Sequence, residues 1–258
     1  MRVVVKVGSS TLAYETGRLN IRRVEMLCRV LSDLKNAGHE IILVSSGAIA
    51  MGVGKLGLSE RPHDIESKQA AAAVGQCELM YTYDRLFEEY HHTVAQILLT
   101  GSDFTCPDRH ENFANTMRRL LELSALPIIN ENDTVSTDEI KVGDNDTLSA
   151  MVAASAKADL LILLSDIDGL YTADPQRDKN ATLISEVSTL TEEILSLGGA
   201  AGSSLGTGGM KTKLSAAEIC HKNNCRMIIM NGADPTALYD AVEGKPIGTR
   251  FFFGEASV

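Results

Sequence analysis

Residues 3–47 read VVVKVGSSTLAYETGRLNIRRVEMLCRVLSDLKNAGHEIILVSSG. Two short apolar runs, at 3–7 and 41–44, enclose a segment with apolar residues at 21, 24, 28, 31 and 34. Asn20, a residue suited to cap a helix, precedes that segment. Uninterrupted β-branched runs are typical of strands that helices cover on both faces, as in a parallel sheet. The segment therefore predicts a β-α-β unit.

The same alternation continues to the end of the chain. Helices are predicted at 65–90, 112–123 and 147–156 and from Met210 onward, and strands at 94–99, 127–130, 160–164, 226–230 and near Phe251. A polar segment at 131–144 predicts a hairpin, and residues 198–209 predict a glycine-rich loop. We expect an α/β fold whose two halves share one continuous, mainly parallel sheet.

Composition and charge restrict the class of protein. The 258 residues carry a formal net charge of -10, which disfavours a surface for nucleic-acid phosphates, and 44% of them are hydrophobic, as in ordinary globular proteins. The five cysteines form no C-x-x-C pair, so we expect reduced thiols and a cytoplasmic protein. No apolar stretch approaches the roughly 18 residues of a membrane span. We therefore expect neither a membrane anchor nor a signal peptide.

Two glycine-rich stretches bear on nucleotide binding. Residues 52–57 (GVGKLG) match the G-x-G-x-x-G fingerprint, but they follow a helical-looking segment instead of a strand and precede Pro62. We interpret them as a flexible loop. Residues 206–213 (GTGGMKTK) fail the Walker pattern because Met210 replaces its last glycine. Their glycines, two lysines and following helix still predict a phosphate cradle, with a mobile surface loop as the alternative.

Lys6 lies near the end of an apolar strand, directly before a Gly-Ser-Ser turn at 8–10. A lysine is costly to bury there unless it has an anionic partner, and an exposed surface lysine is the alternative. A second small-residue turn, at 45–48, follows the next strand. We predict two adjacent turns whose backbone amides bind an anion, although plain βα turns use the same residue types.

Polar residues cluster around the predicted hairpin. Asn-Asp-Thr occurs at 132–134 and again at 145–147, and so many carboxylates and carboxamides suggest binding of an ammonium group and orientation of lysines. Turn formation and helix capping are the alternative, particularly for the second trio. Residues 165–169 (SDIDG) follow the most apolar strand, and we expect a ligand site at that strand end.

The combination of motifs favours phosphoryl transfer over hydrolysis. The chain has no H-E-x-x-H zinc motif, and its six histidines show no spacing typical of hydrolytic catalysis. Backbone-amide turns, two placed lysines and organising aspartates are the groups that phosphoryl transfer requires. A carboxylate acceptor fits, because its reference pKa of about 4.3 leaves it ionised near neutral pH and no general base is needed.

Six segments together resemble the amino acid kinase family, and within it the enzymes that phosphorylate L-glutamate. They are residues 6–10, 44–50, 129–133, 141–146, 166–175 and 206–213. The resemblance implies a three-layer αβα sandwich and ATP-dependent, magnesium-assisted phosphorylation of the glutamate side-chain carboxylate, the first step of proline synthesis. It also implies a single kinase domain over 1–258, with an amino-acid lobe at about 1–156 and a nucleotide lobe at about 157–258.

The resemblance also assigns roles to individual residues. It implies that Lys6 and Lys213 neutralise the transferred phosphoryl group and that Asp146 holds both lysines in place. It implies substrate binding by Ser46, Gly47, Asp133 and Asn145, and ATP binding by Lys6, Ser165, Asp166, Thr207, Gly208, Gly209, Met210, Lys211, Thr212 and Lys213. It assigns no residue as a direct metal ligand.

The implied partners are L-glutamate, ATP with Mg²⁺, proline as a feedback inhibitor, glutamyl-phosphate reductase as receiver of the product, and further copies of the chain in a homo-oligomer. No nucleic-acid or membrane partner is expected. Many family members carry a C-terminal PUA domain, which we do not expect here, and Ser165 stands where the family often has Thr. The alternatives are a family kinase acting on acetylglutamate, aspartate or a nucleoside monophosphate, and a non-catalytic amino-acid sensor.

Overall fold

The computed structural model of the chain describes residues 1–14, 16, 18–136, 145–175, 177–199 and 209–252. The strands are β1 (Arg2–Val7), β2 (Glu40–Ser45), β3 (Val94–Leu99), β4 (Leu126–Glu131), β5 (Leu160–Ser165), β6 (Glu186–Val187), β7 (Arg226–Asn231) and β8 (Thr249–Phe251). The helices are α1 (Ser9–Leu12), α2 (Ile21–Asn36), α3 (Ala48–Leu56), α4 (Ile65–Glu88), α5 (Gly101–Thr105), α6 (Pro107–Glu122), α7 (Asn145–Ser155), α8 (Glu192–Ser196), α9 (Met210–Lys222) and α10 (Ala237–Val242).

The described strands form one sheet in the order β3-β4-β2-β1-β5-β7-β8-β6. Every neighbouring pair is parallel except β7 and β8, which run antiparallel. The sheet therefore confirms the predicted α/β class and the sharing of one mainly parallel sheet by both halves of the chain. β1 lies at the centre, between β2 and β5, so the carboxyl ends of these three strands meet at one edge.

Helices cover both faces of the sheet. Successive residues of β1 belong to different hydrophobic clusters, because side chains of a strand alternate between its faces. Val3 and Val5 pack with residues of α2, α4 and α10, whereas Val4 packs with residues of α6, α7 and α9. This arrangement is the predicted three-layer αβα sandwich. The full burial of these valines explains why the strands read as continuous apolar runs.

The prediction of a flexible loop at 52–57 is wrong, because most of these residues belong to α3. The helix ends at Gly57, which is left-handed with φ of 66°. A Cβ atom on Gly52 would lie 1.8 Å from the carbonyl oxygen of Ala71, and one on Gly75 would lie 1.7 Å from that of Ala48. The glycines of this segment thus allow α3 and α4 to pack backbone to backbone, a contact that local sequence patterns do not reveal.

Other predictions differ at element boundaries. The helix predicted at 112–123 begins five residues earlier, at Pro107, and the preceding residues form α5. The predicted hairpin at 131–144 falls largely on residues 137–144, which lie outside the described residues, as does most of the predicted glycine-rich loop at 198–209. In the part of the chain that the structure describes, no helix has the length and apolar character to cross a bilayer.

Candidate functional site

The carboxyl ends of β1 and β2 bring the two predicted small-residue turns together. Gly8 precedes α1, and Gly47 precedes α3 with φ of 108°, a left-handed conformation that favours glycine. The backbone N–H of Ser46 donates to the carbonyl oxygen of Val7 (3.1 Å) and links the two turns directly. The two turns therefore lie side by side at the carboxyl ends of β1 and β2, and each is followed by a helix.

Lys6 reaches this edge from β1, where it pairs in register with Val44 of β2 and Leu163 of β5. Its ammonium lies 2.6 Å from Oδ1 of Asp146, the second residue of α7. The ammonium of Lys213, in the first turn of α9, lies 3.0 Å from Oδ2 of the same carboxylate. Thr212 donates its hydroxyl to Oδ2 as well (3.0 Å). One carboxylate therefore binds two ammonium groups that are far apart in sequence.

The Lys6–Asp146–Lys213 cluster is buried, and Asp146 has no exposed surface. Burial alone would raise the pKa of the Asp146 carboxyl. The charges and hydrogen bonds of Lys6 and Lys213 outweigh that effect and lower its pKa to about 2. Asp146 therefore stays ionised under all ordinary conditions. The cluster carries two positive charges and one negative charge. Its net charge is therefore +1, near the carboxyl end of β1.

Asn145, the residue before Asp146, connects this cluster to the turn after β2. Its side-chain amide Nδ2 donates to Oγ of Ser46 (2.8 Å) and to Oδ1 of Asn130 (3.0 Å). Its own Oδ1 is buried and accepts no hydrogen bond from the residues that the structure describes. A buried acceptor in this state is unusual in folded proteins, and it indicates a place for a donor group of a ligand.

A cavity of about 240 Å³ lies between α4, β3 and the segment after β4. Asp133, Glu131 and Gln76 line it, together with other polar side chains and with small and apolar ones. Oδ1 of Asp133 is buried and has no hydrogen-bond partner in the described part of the chain. Burial and the neighbouring Glu131 charge raise the pKa of Asp133 to about 7, against the opposing effect of Arg61. The cavity thus offers a carboxyl group that a cationic ligand would favour in its charged form.

Apart from Lys6 on β1, the described residues that were predicted to bind ATP lie at the end of β5 and at the start of α9. Ser165 ends β5 and donates its hydroxyl to Asp166 (3.1 Å). Gly209 precedes α9, and Met210, Lys211 and Thr212 begin that helix, with Lys211 exposed. Thr207 and Gly208 lie outside the described residues. The start of α9 reaches the lysine cluster because Thr212 and Lys213 both contact Asp146.

The structure brings the predicted catalytic residues into direct contact and joins Ser46 to Asn145. It also shows contacts that sequence reasoning missed. Asn130 and Gln76 form a hydrogen bond (2.9 Å) behind Asn145, and the hydroxyl of Thr212 contacts Asp146 instead of standing free for a nucleotide. A glutamine in the small-residue stretch of α4 is the one sequence signal for the first contact, since buried polar side chains need partners.

A family model described as "Amino acid kinase family" matches residues 1–231. A glutamate 5-kinase of Clostridium tetani is 57% identical over 249 residues, which cover 96% of this chain and 93% of that protein. A glutamate 5-kinase of Listeria monocytogenes is 52% identical over 254 residues, covering 97% of this chain and 92% of that protein.

Solved structures share the fold at low sequence identity. The carbamate kinase of Giardia lamblia bound to AMP-PNP superposes with a TM-score of 0.67 at 18% identity, over 98% of each chain. The UMP kinase of Ureaplasma parvum superposes with a TM-score of 0.66 at 16% identity, over 97% of this chain and 98% of that one. These similarities support the fold and carry no information on the substrate.

Proposed function

This chain belongs to the amino acid kinase family, and we propose from that premise that it transfers the γ-phosphoryl group of ATP to the side-chain carboxylate of L-glutamate. The product is L-glutamyl 5-phosphate, which places the reaction at the first step of proline biosynthesis. Relatives that are more than half identical over nearly the whole chain bear the name glutamate 5-kinase, which supports this acceptor over acetylglutamate, aspartate or a nucleoside monophosphate.

The observation that carries the proposal is the pair of ammonium groups on the buried carboxylate of Asp146. In the reaction, an oxygen of the glutamate carboxylate attacks the γ-phosphorus, and the bond from that phosphorus to the bridging oxygen of ADP breaks. The electron pair of the broken bond leaves with ADP. Lys6 and Lys213 stabilise the negative charge on the transferred group, and Asp146 holds them close together despite their mutual repulsion.

In this proposal, two oxygen atoms of the protein accept hydrogen bonds from the α-ammonium group of the substrate. The α-ammonium group of glutamate donates to Oδ1 of Asn145 and Oδ1 of Asp133, which are both buried and without a partner in the described residues. Ser46 and Gly47 receive the reacting carboxylate at the turn after β2. An ammonium group also stabilises the ionised form of Asp133, because it supplies the counter-charge that the cavity lacks.

ATP lies between Ser165 and Asp166 on one side and residues 209–213 on the other in this proposal, and Thr207 and Gly208 are also proposed to bind it. Mg²⁺ accompanies ATP and is held mainly by its phosphates, as is usual for kinases. Lys6 and Lys213 contact the two oxygens of Asp146, so we assign this carboxylate to orienting the lysines and not to binding magnesium. Lys6 and Lys213 thus contact both ATP and glutamate, at the position that the phosphoryl group occupies during transfer.

The same proposal covers the organisation of the protein. Residues 1–258 form a single kinase domain, with the amino-acid lobe at about 1–156 and the nucleotide lobe at about 157–258. The active site needs both lobes, because Lys6 and Asp146 belong to the first and Lys213 to the second. We further propose a cytoplasmic homo-oligomer that proline inhibits by feedback and that passes its product to glutamyl-phosphate reductase, since an acyl phosphate is prone to hydrolysis.

The direct test is ADP release by purified protein with Mg-ATP and L-glutamate, with hydroxylamine added to trap the acyl phosphate as a hydroxamate. N-Acetylglutamate, L-aspartate and UMP serve as competing acceptors. We expect ADP and hydroxamate with L-glutamate only. Turnover with another acceptor alone would contradict the substrate, and calorimetric binding of glutamate without any binding of ATP would support a sensor instead of an enzyme.

A further inference from the structure

Gln76 is a buried polar residue in the middle of α4, with 9% of its surface exposed. Its side-chain oxygen Oε1 accepts a hydrogen bond from Nδ2 of Asn130 at 2.9 Å. Asn130 belongs to β4, so this bond joins the helix layer to the carboxyl edge of the sheet. Gln76 also lines the cavity beside Asp133, although no step of the proposed reaction uses its side chain directly.

Together with the backbone N–H of Glu131, the bond fixes the orientation of the Asn130 amide and, through it, that of Asn145. Because Oε1 of Gln76 accepts from Nδ2 of Asn130, the other end of that amide, Oδ1, faces Glu131 and Asn145. Oδ1 of Asn130 accepts from the backbone N–H of Glu131 (2.9 Å) and from Nδ2 of Asn145 (3.0 Å). Nδ2 of Asn145 also donates to Ser46. An amide has two donor hydrogens on nitrogen and acceptor capacity on oxygen, so both hydrogens of Asn145 are used.

The consequence is that Asn145 can present only its oxygen to a ligand. We propose that Gln76 is a positioning residue that, through Asn130, fixes the orientation of the Asn145 amide and so makes the site select substrates that carry an α-ammonium group. This inference rests on the proposed function, because it assigns the unpartnered oxygen of Asn145 to the substrate amine. Removing the acceptor on Gln76 leaves Nδ2 of Asn130 without its partner, so only the bond from the backbone N–H of Glu131 still orients that amide and Asn145 is held less firmly.

Gln76 is not needed to hold α4 in place, because other contacts already do so. The helix is already fixed against α3 by the backbone contact between Gly75 and Ala48. It is fixed to β2 by a hydrogen bond of 2.8 Å between the hydroxyl groups of Tyr83 and Ser45, both fully buried. Gln76 therefore lies on a rigid support, as a residue that positions a neighbour must.

The experiment compares L-glutamate with glutarate, which has the same carboxylates and lacks the amine. In Gln76→Met, which keeps the length of the side chain and removes the acceptor, we expect the ratio of kcat/KM for glutamate over glutarate to fall about 10-fold, through the KM for glutamate. The kcat at saturating glutamate and the KM for ATP should change little. Gln69→Met is the matched control, because Gln69 lies two turns earlier in α4 and makes no side-chain hydrogen bond with the described residues.

Gln76→Glu is the second variant, since a carboxylate also accepts from Asn130. We expect it to keep the glutamate preference within about 3-fold. An unchanged ratio in Gln76→Met, or an equal loss with both substrates, would overturn the positioning role and leave the proposed function intact. An equal fall of the ratio in both variants would show that the amide of Gln76 itself contacts the substrate, which also contradicts the relay. Wild-type protein inactive with glutamate would contradict the proposed function and the role of Gln76 together.

Discussion

Lys6 and Lys213 bind different oxygens of a single buried carboxylate, although 206 residues separate them in the sequence. Lys6 comes from the central strand of the sheet, and Lys213 comes from the first turn of α9. Because each lysine has its own oxygen of Asp146, the distance between the two ammonium groups is fixed by the width of one carboxylate. This spacing suits a small anionic group between them, such as a phosphoryl group in transfer.

Replacing Lys213 by Ala removes one of the two positive charges at the phosphoryl group. We expect kcat with L-glutamate to fall about 100-fold or more, because one preorganised charge-stabilising group is lost. Steady-state kinetics on purified protein measure this directly. Lys222→Ala, at the exposed end of the same helix, is the control and should keep the wild-type kcat. A loss of only a few-fold in Lys213→Ala would argue against a role in transfer.

Replacing Asp146 by Asn affects stability as well as rate. Two buried ammonium groups then lose their shared counter-charge, and removing one partner of a buried ion pair typically costs about 3–5 kcal/mol. We expect a lower free energy of unfolding together with a strongly reduced kcat, measured by denaturant titration and kinetics. Asp240→Asn removes an exposed partner of Lys245 and should change neither. Wild-type stability in Asp146→Asn would mean that the lysines do not depend on that charge.

The pKa of Asp133 predicts a pH-dependent affinity for glutamate. Burial and the charge of Glu131 raise this pKa to about 7, so the carboxyl is neutral below that pH and ionised above it. Only the ionised form pairs with an ammonium group. The KM for glutamate should therefore fall as pH rises, by about 10-fold between pH 6 and pH 8 for a single ionisation.

The control is Asp133→Asn, in which the titrating group is absent. Its KM for glutamate should be high and nearly independent of pH over the same range. A wild-type KM that stays flat, or that rises with pH, would exclude Asp133 as the partner of the substrate amine.

The contact between α3 and α4 predicts that Gly52→Ala is strongly destabilising. The added Cβ would lie 1.8 Å from the carbonyl oxygen of Ala71, so one helix must move. We expect a loss of at least about 2 kcal/mol, seen as a fall of about 4–8 °C in Tm. Gly57→Asn, at the end of α3, serves as the control, because nothing lies within 4 Å of its Cβ position and Asn tolerates a left-handed backbone. Equal Tm values for the two variants would contradict the close contact.

The fold was more predictable from sequence than the site. The strands at 3–7, 41–44 and 160–164 were found within two residues, because burial on both faces makes them continuously apolar. The need of Lys6 for an anion also followed from its place in an apolar strand. Only the family resemblance identifies this anion as Asp146. No local sequence pattern relates two residues that lie 140 positions apart.

Contacts between residues that are distant in the sequence account for what sequence reasoning missed. The glycines at 52–57 by themselves favour a loop, whereas in the structure α3 continues to Leu56 and packs closely against α4 at Gly52 and Gly75. The hydrogen bond of Gln76 depends on Asn130, which is 54 residues away. In both cases the residue type is unexpected at its position in the helix. A contact with a residue that is distant in the sequence explains it.

The central place of β1 has a consequence for synthesis of the chain. Among the described strands, β1 leaves the ribosome before the others and β2 follows within 40 residues, but the other side of β1 pairs with β5, at Leu160–Ser165. Until β5 has been synthesised, the buried and apolar strand β1 therefore presents an open edge, which is the feature by which nascent chains aggregate. Nascent chains interrupted before residue 160 keep that edge, so protection by chaperones matters most in that interval.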